Sequence, residues 1–239
     1  MSTAATSNPS TTMRVSVIVP VLDEAASILR TLASVRPARG QDHVDVEIIL
    51  VDGGSSDGTA GLATPHCDQV IHAVRGRANQ MNAGAKAASG ELLLFLHADT
   101  LLPGGAIARL AALAGEAAPA WGRFDVQIDG AHPMLRVVAA LMNLRSRLTG
   151  IATGDQAIFV TRTAFLAVGG FPQQPLMEDI EISRRLKRIA PPLCLREQVR
   201  TSGRRWETRG LWRTIALMWT LRLRYWLGTP AERLARIYR

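Results

Sequence analysis

Short apolar runs alternate along this chain with stretches whose apolar residues recur at helical spacing. Residues 15–20 (VSVIVP), 46–51 (VEIILV) and 92–96 (LLLFL) are brief and largely uninterrupted. Runs of that length without polar alternation predict strands buried on both faces, as in a parallel sheet. Between them, Ile28, Leu29, Leu32 and Val35 fall on one face of a helix over 24–35, which residues 37–40 end. A short strand is expected at 70–74 and an Ala-rich helix at 79–89, stopped by Gly90. The pattern then predicts a helix at 103–114, a strand at 122–128, a helix at 134–148, a strand at 157–161 and a short helix at 163–168 closed by Gly169-Gly170. A further helix opens at Glu178 and runs through Ile182, Leu186 and Ile189. This order predicts one α/β domain with a mostly parallel sheet and flanking helices, whose ligands bind outside the carboxyl ends of the strands.

All three apolar runs lead into acid: Asp23-Glu24 after the first, Asp52 after the second, His97-Ala98-Asp99 after the third. Carboxylates gathered at one sheet edge do not serve packing, because burial costs each of them its hydration. A nucleotide, a sugar or a metal is the natural occupant. The segment 52–58 (DGGSSDG) reads as a turn in which Ser56 or Asp57 caps the next helix, and Asp52 there has an alternative role bonding its own backbone.

Four segments in this order, VIVPVLDE (17–24), VDGGSSDG (51–58), LFLHAD (94–99) and MED (177–179), resemble the inverting nucleotide-sugar glycosyltransferases of family two, which have the single-domain GT-A fold. The string RGRANQMNAG (75–84) is similar to that of small bacterial members. The resemblance implies that Pro20, Asp23, Glu24 and Asp52 line the nucleobase and ribose pocket, with Ala98 on the nucleotide side and Arg77 pairing with phosphate. It implies that Asp99 holds Mn2+ or Mg2+ against the donor diphosphate, where a hard cation offsets the charge of the leaving group. His97 replaces the first acid of the family's Asp-x-Asp motif. It is a candidate ligand as a neutral imidazole, and a packed core histidine is the alternative. Asp179, beside Glu178, corresponds to the general base that takes a proton from the acceptor hydroxyl. Acids in the first turn of a helix that ends in Arg185, Lys187 and Arg188 also suit the helix dipole, so that role competes with catalysis. The weaker motifs Asp155-Gln156 and Arg205-Trp206 are assigned to the acceptor. The latter resembles the Gln-x-x-Arg-Trp signature of processive synthases without its glutamine, which disfavours a processive polymerase.

Charge changes the picture at one end. Of the 239 residues, 28 are Lys or Arg and 20 are Asp or Glu, a net +8. Residues 199–239 hold ten arginines and two glutamates, so this stretch alone carries the excess. Confinement to one Trp-rich segment argues against nucleic acid as partner. Trp212, Trp219 and Trp226 recur every seven residues, with Arg213, Arg222 and Arg224 among them. This is the pattern of an amphipathic helix at an anionic membrane surface, or of a terminal helix packed on the domain. The expected organisation is a flexible tail at 1–13, a glycosyltransferase domain at 14–209 and a basic helical tail at 210–239. Residues 1–13 lack the basic start and apolar core of a signal peptide, so a cytoplasmic protein is expected, peripheral on the cytoplasmic face of the inner membrane if the tail binds lipid. Cys67 and Cys194 lie far apart and predict neither a disulfide framework nor zinc.

The sequence thus points to transfer of one sugar from a nucleotide-diphosphate donor, a UDP-sugar first, to a hydroxyl acceptor, with a lipid-linked acceptor compatible with the tail. A non-catalytic nucleotide-sugar binder or membrane-surface protein is the rival. A sugar-phosphate nucleotidyltransferase is a weaker one, because no Gly-rich phosphate loop follows the first strand.

Overall fold

Val15, Val17, Val19 and Val21 pack into one hydrophobic core while Ile18 packs into another, and all five are buried. The first strand is therefore covered on both faces, which is why its apolar run does not alternate. In the computed structural model, which describes residues 14–36, 45–115 and 120–238, this strand is β1 (Arg14–Val21). It is followed by α1 (Ile28–Val35), β2 (Asp45–Asp52), α2 (Thr59–Ala63), β3 (Gln69–His72), α3 (Arg77–Ala87), β4 (Leu92–Phe95), β5 (Thr100–Leu101) and α4 (Ala106–Gly115). The second half comprises β6 (Trp121–Asp129), α5 (Met134–Thr149), β7 (Ile158–Thr161), α6 (Arg162–Ala167), α7 (Glu178–Leu186), β8 (Leu193–Ser202), α8 (Arg204–Arg209), α9 (Leu211–Trp226) and α10 (Ala231–Tyr238).

The strands form one eight-stranded sheet in the order β3-β2-β1-β4-β7-β6-β8-β5. β1 pairs in parallel with β2 and β4, β2 with β3, and β6 with β8, while β7 and β5 run antiparallel to their neighbours. The expected single α/β domain with a mostly parallel sheet and flanking helices is the observed architecture.

Helix α3 packs closely on the sheet at Gly84, beside Ala78, Met81 and Ala85 in the same core. A Cβ at Gly84 would stand 2.4 Å from Ile18 Cγ2 and 2.9 Å from Val51 Cγ2. The same helix sends the Gln80 amide to the ends of two strands, donating to the carbonyls of Val21 at 2.7 Å and Val51 at 2.8 Å. Its Asn82 exchanges two hydrogen bonds with the backbone of Phe171. The string at 75–84 is thus a brace that fixes the loops at the carboxyl edge.

Several boundaries differ from the sequence expectation. Helix α1 starts at Ile28 rather than 24, because Asp23 takes a left-handed conformation (φ 54°) and the Glu24 carbonyl closes a turn on the amides of Ser27 and Ile28. Helix α4 begins at Ala106, three residues later than expected. Strand β8 was not anticipated: only Leu195, Val199 and Thr201 of its ten residues are buried, and Arg196, Glu197, Gln198 and Arg200 fill the positions between. The tail is two helices, α9 and α10, with left-handed glycines at Gly210 and Gly228 marking its breaks. The expected tail at 1–13 and the helix stop at 37–40 lie outside the described residues.

Helix α9 uses two faces. Leu211 and Ile215 pack with Leu135, Val138 and Ala139 of α5, and Leu221 joins Leu234 of α10 against Met177, so this end of the chain is docked on the domain. Trp212, Trp219 and Trp226 remain 70%, 69% and 79% exposed. Both readings of the tryptophan spacing therefore have a physical counterpart: packing on one side, an open aromatic stripe on the other. Among the described residues, no helix is long and apolar enough to cross a membrane.

Candidate active site

Two loops at the carboxyl edge are laced together by their own side chains. Asp23 accepts the Ser56 amide at 2.8 Å, Asp57 accepts that of Ala25 at 2.8 Å, and the Glu24 amide donates to the Thr59 hydroxyl at 2.9 Å. The Asp57 carboxylate also takes the amide of Thr59, the first residue of α2, but the cap position itself is Gly58 with a left-handed φ of 84°, not Ser56 or Asp57 as expected. Asp52, buried at the end of β2, accepts from the amides of Gly54 and Ser55, the Ser55 hydroxyl and His72 Nδ1. Burial pushes its pKa up, but the Ser55 hydroxyl and these amides outweigh that and hold it below the ordinary value. Asp52 thus anchors its turn, as its alternative role anticipated. Pro20 is buried beside Val51 in the β1–β2 register. Glu24 also meets Arg204 of α8 at 3.5 Å.

The loop after β4 divides its three candidates. Ala98 is 5% exposed in the core beneath the sheet, and its carbonyl is taken by the Thr31 hydroxyl, so its side chain has no part in a nucleotide contact. His97 turns inward. Its Nδ1 lies 3.3 Å from Asp155 Oδ1, and a Cβ on Gly154 would fall 2.3 Å from ring atoms Cε1 and Nε2. One ring nitrogen is thus engaged and the other is covered by the Gly154 backbone. Asp99 keeps its carboxylate partly exposed, with no hydrogen bond to it among the described residues. No group of three His, Cys, Asp or Glu side chains there could hold a metal. A single free carboxylate still fits Mg2+ or Mn2+, which commonly take one or two protein carboxylates and complete their shell with substrate phosphates and water. His97 does not fit that role in this arrangement.

Across a small cavity lined by Phe95, His97, Gly154, Phe171, Glu178 and Asp179 lies the start of α7. Met177 precedes the helix in a left-handed conformation (φ 65°), an unfavourable backbone state for a side-chain-bearing residue that aims the two acids into the cavity. Glu178 is 4% exposed, and its Oε1 stands 3.7 Å from Arg77 Nη1 at the start of α3. Burial first and the Asp179 charge second push its pKa up, against Arg77. Asp179 accepts the amides of Gly154 at 3.1 Å and Ile180 at 2.8 Å, yet burial still raises its pKa. Asp155 moves the other way: burial raises it, but the His97 bond and charge, then Arg77 and Arg205, pull it to about 2. Asp155 therefore stays ionised while its neighbours retain protons more readily, the kind of separation found where acid and base roles are set by environment.

The acceptor candidates separate likewise. Asp155 has 47% of its side chain exposed, next in sequence to Gly154 of the cavity lining, and Arg205 sits within charge range of it, stacked 5.2 Å over the Tyr238 ring. Gln156 is fully buried, closing a capping box with Thr153 and donating to Asn143, and so cannot reach an acceptor. Trp206 packs against the Ile128, Leu135 and Leu211 cluster, where its indole serves the α5–α9 contact. Sequence reasoning passed over Gln80, whose two strand-end bonds hold the site's floor. Its signal was a long polar amide on the buried side of an otherwise Ala-rich helix.

Residues 16–166, more than half of the chain, match the profile of glycosyl transferase family 2. The chain belongs to that family. It is 32% identical over 152 residues to an undecaprenyl-phosphate 4-deoxy-4-formamido-L-arabinose transferase of Serratia proteamaculans, a match covering 59% of this chain and 46% of that protein. The chain spans less than half the length of the curated relatives it matches. Among solved structures it is similar to S. aureus TarS 1–349 in complex with UDP-GlcNAc, with a TM-score of 0.62, 18% identity and coverage of 80% of this chain and 58% of that one. It is also similar to the mannosyltransferase PcManGT of Pyrobaculum calidifontis in complex with GDP-Man and Mn2+, with a TM-score of 0.57, 24% identity and coverage of 81% and 58%. This family 2 chain therefore shares the GT-A fold of those enzymes.

Proposed function

We propose that this chain is an inverting glycosyltransferase that moves one sugar from a UDP-sugar to a hydroxyl acceptor, with Asp179 as general base. The observation that carries the reading is the Asp179 carboxylate, buried at the cavity, held by the Gly154 amide and raised in pKa by its surroundings. A base of raised pKa is better matched to an alcohol proton than an ordinary aspartate. In this reading the acceptor oxygen attacks the anomeric carbon from the face opposite the diphosphate as Asp179 takes its proton. Glu178 holds Arg77, whose guanidinium stands ready for phosphate oxygens. Asp23, Glu24 and Asp52 shape the nucleoside end through the loops they lace together. Asp99 would hold a divalent cation with the donor diphosphate, where the cation would supply charge stabilisation for the leaving group. His97 orients Asp155, and Asp155 with Arg205 faces the acceptor.

A lipid-linked acceptor and peripheral contact with an anionic membrane suit the outer faces of α5 and α9. Val137, Leu141, Leu144 and Leu148 form an exposed row on α5, and Leu223 joins the open tryptophans of α9. The Serratia relative, named for a polyprenyl-phosphate acceptor, supports the same class.

The test is a thermal-shift screen of nucleoside diphosphates with and without Mn2+, followed by Mn2+-dependent UDP-sugar hydrolysis. A ligand that binds only the folded state raises the melting temperature. UDP should raise it more with Mn2+ than without, and slow donor hydrolysis should follow. No shift with any nucleotide would refute the reading, and binding without hydrolysis or transfer would favour the non-catalytic binder.

A further inference from the structure

Three arginines crowd the junction of β6 and α5, and two of them are satisfied. Arg123, fully buried, bonds the Ser146 hydroxyl at 3.1 Å, the Asn143 carbonyl at 3.2 Å and the Asp125 carboxylate. Arg147 takes the other oxygen of Asp125 at 2.6 Å. No carboxylate is left for Arg145. Its Nε and Nη2 are both buried without a hydrogen-bond partner, and among the described residues they are the sole buried side-chain nitrogen or oxygen atoms in that state. An unpaired buried donor costs stability, and more so on a charged group, so such an orphan calls for a missing partner.

The identity of the two atoms is informative. Nε–H and one Nη2–H point in parallel from one edge of the guanidinium, the fork that receives two oxygens of a carboxylate or phosphate side by side. Helix α5 packs on the turn carrying Gly154 and Asp155, where its Asn143 bonds Gln156. Arg145 interacts electrostatically with Asp179, but both Asp179 oxygens are already committed to amides and neither fills the fork.

We propose that Arg145 recognises an anionic group on the acceptor, a carboxylate or a phosphate monoester, and so places the acceptor's nucleophilic hydroxyl against Asp179. The inference rests on the transferase reading above and narrows its acceptor to an anionic molecule. No part of the donor is required at this residue.

The experiment titrates octyl phosphate, octanoate and octanol into the full chain by calorimetry, with and without saturating UDP and Mn2+. It compares wild type with Arg145→Gln, Arg145→Lys and Arg145→Met. Wild type should bind at least one of the two anions better than octanol. Arg145→Gln should weaken that anion by about tenfold or more, and Arg145→Lys, which keeps the charge but loses the fork, by an intermediate amount. UDP affinity should stay within about twofold in each variant. Arg145→Met should raise the melting temperature by a few degrees, because it removes an unpaired buried charge, whereas loss of a structural arginine would lower it. The proposal is overturned if neither anion outbinds octanol, if Arg145→Gln binds the anion as wild type does, or if it loses UDP affinity in parallel, which would assign the fork to the donor. If Arg145→Gln does not fold, Arg145→Lys decides by the same criteria. A wild type that binds an anion through Arg145 but never binds UDP would instead refute the transferase reading and leave the anion site standing.

Discussion

Asp179 and Gly154 are joined across the cavity: the carboxylate Oδ2 accepts the Gly154 amide at 3.1 Å, binding the first turn of α7 to the turn that carries Asp155. Replacing Asp179 by Asn preserves an oxygen for that amide and removes the proton acceptor. Transfer should fall about a hundredfold or more, with UDP affinity within about twofold. Single-turnover assays beside calorimetry separate the two effects. Near-native transfer by Asp179→Asn would leave the helix-dipole role as the reason for these acids.

The raised pKa values of Glu178 and Asp179 give a second expectation. A protonated base is inactive, so kcat/KM should fall as pH drops through a value above the ordinary 3.8 of an aspartate. For stability, a group raised in the folded state contributes most below its unfolded pKa and loses that contribution as pH rises through the folded one. Glu178→Gln should therefore be more stable than wild type near about pH 8 and equal to it near about pH 4. Chemical denaturation at the two pH values checks this, and a pH-independent difference would contradict it.

Asp99 and His97 predict opposite behaviour toward metal. Asp99→Ala should abolish the gain in UDP affinity that Mn2+ confers. His97→Ala should retain that gain but impair acceptor use, because Asp155 loses its partner 3.3 Å away. Calorimetric titration of UDP with and without Mn2+ reads the first effect, and acceptor KM the second. A metal effect intact in Asp99→Ala would remove the cation from this site.

The contrast between these two residues marks how much the sequence disclosed. The apolar runs of β1, β2 and β4 disclosed the parallel core, because a strand buried on both faces leaves an unbroken hydrophobic record. The acids that end those runs marked the carboxyl edge of the sheet, where the candidate site lies. Side-chain orientation left no such record: His97, Asp155 and Gln156 all sit in polar motifs, yet His97 turns onto Gly154, Asp155 stays half exposed and Gln156 is buried in its own turn. Strand β8 escaped because its outer face is charged, and Arg145 because an orphan is defined by what its neighbours bond.

Gly84 tests the brace. Alanine there must displace Ile18 or Val51, since its Cβ would lie 2.4 Å and 2.9 Å from their methyl carbons. Both are core residues on adjacent strands, so the neighbours cannot swing into solvent. Destabilisation of about 1–3 kcal/mol is expected, as for other overpacked cores. A lowered denaturation midpoint with unchanged slope would agree; an unchanged midpoint would mean that α3 can lift off the sheet freely.

The tail predicts a membrane contact that can be tested without unfolding the domain. Deleting α9 would uncover Met177, next to the Glu178–Asp179 pair proposed as catalytic, so truncation confounds attachment with damage to that site. Trp212, Trp219 and Trp226 face outward, and replacing all three with Gln leaves the buried Leu211 and Leu221 in place. Indoles favour the headgroup boundary, and each arginine near an anionic surface contributes on the order of 1 kcal/mol. Wild type should co-sediment with vesicles containing anionic lipid, less so at high salt and little with neutral lipid. The triple variant should lose most of that binding while keeping its melting temperature and its affinity for UDP. If wild type ignores anionic vesicles, the stripe is not a membrane contact, and the arginine excess of residues 199–239 needs another partner.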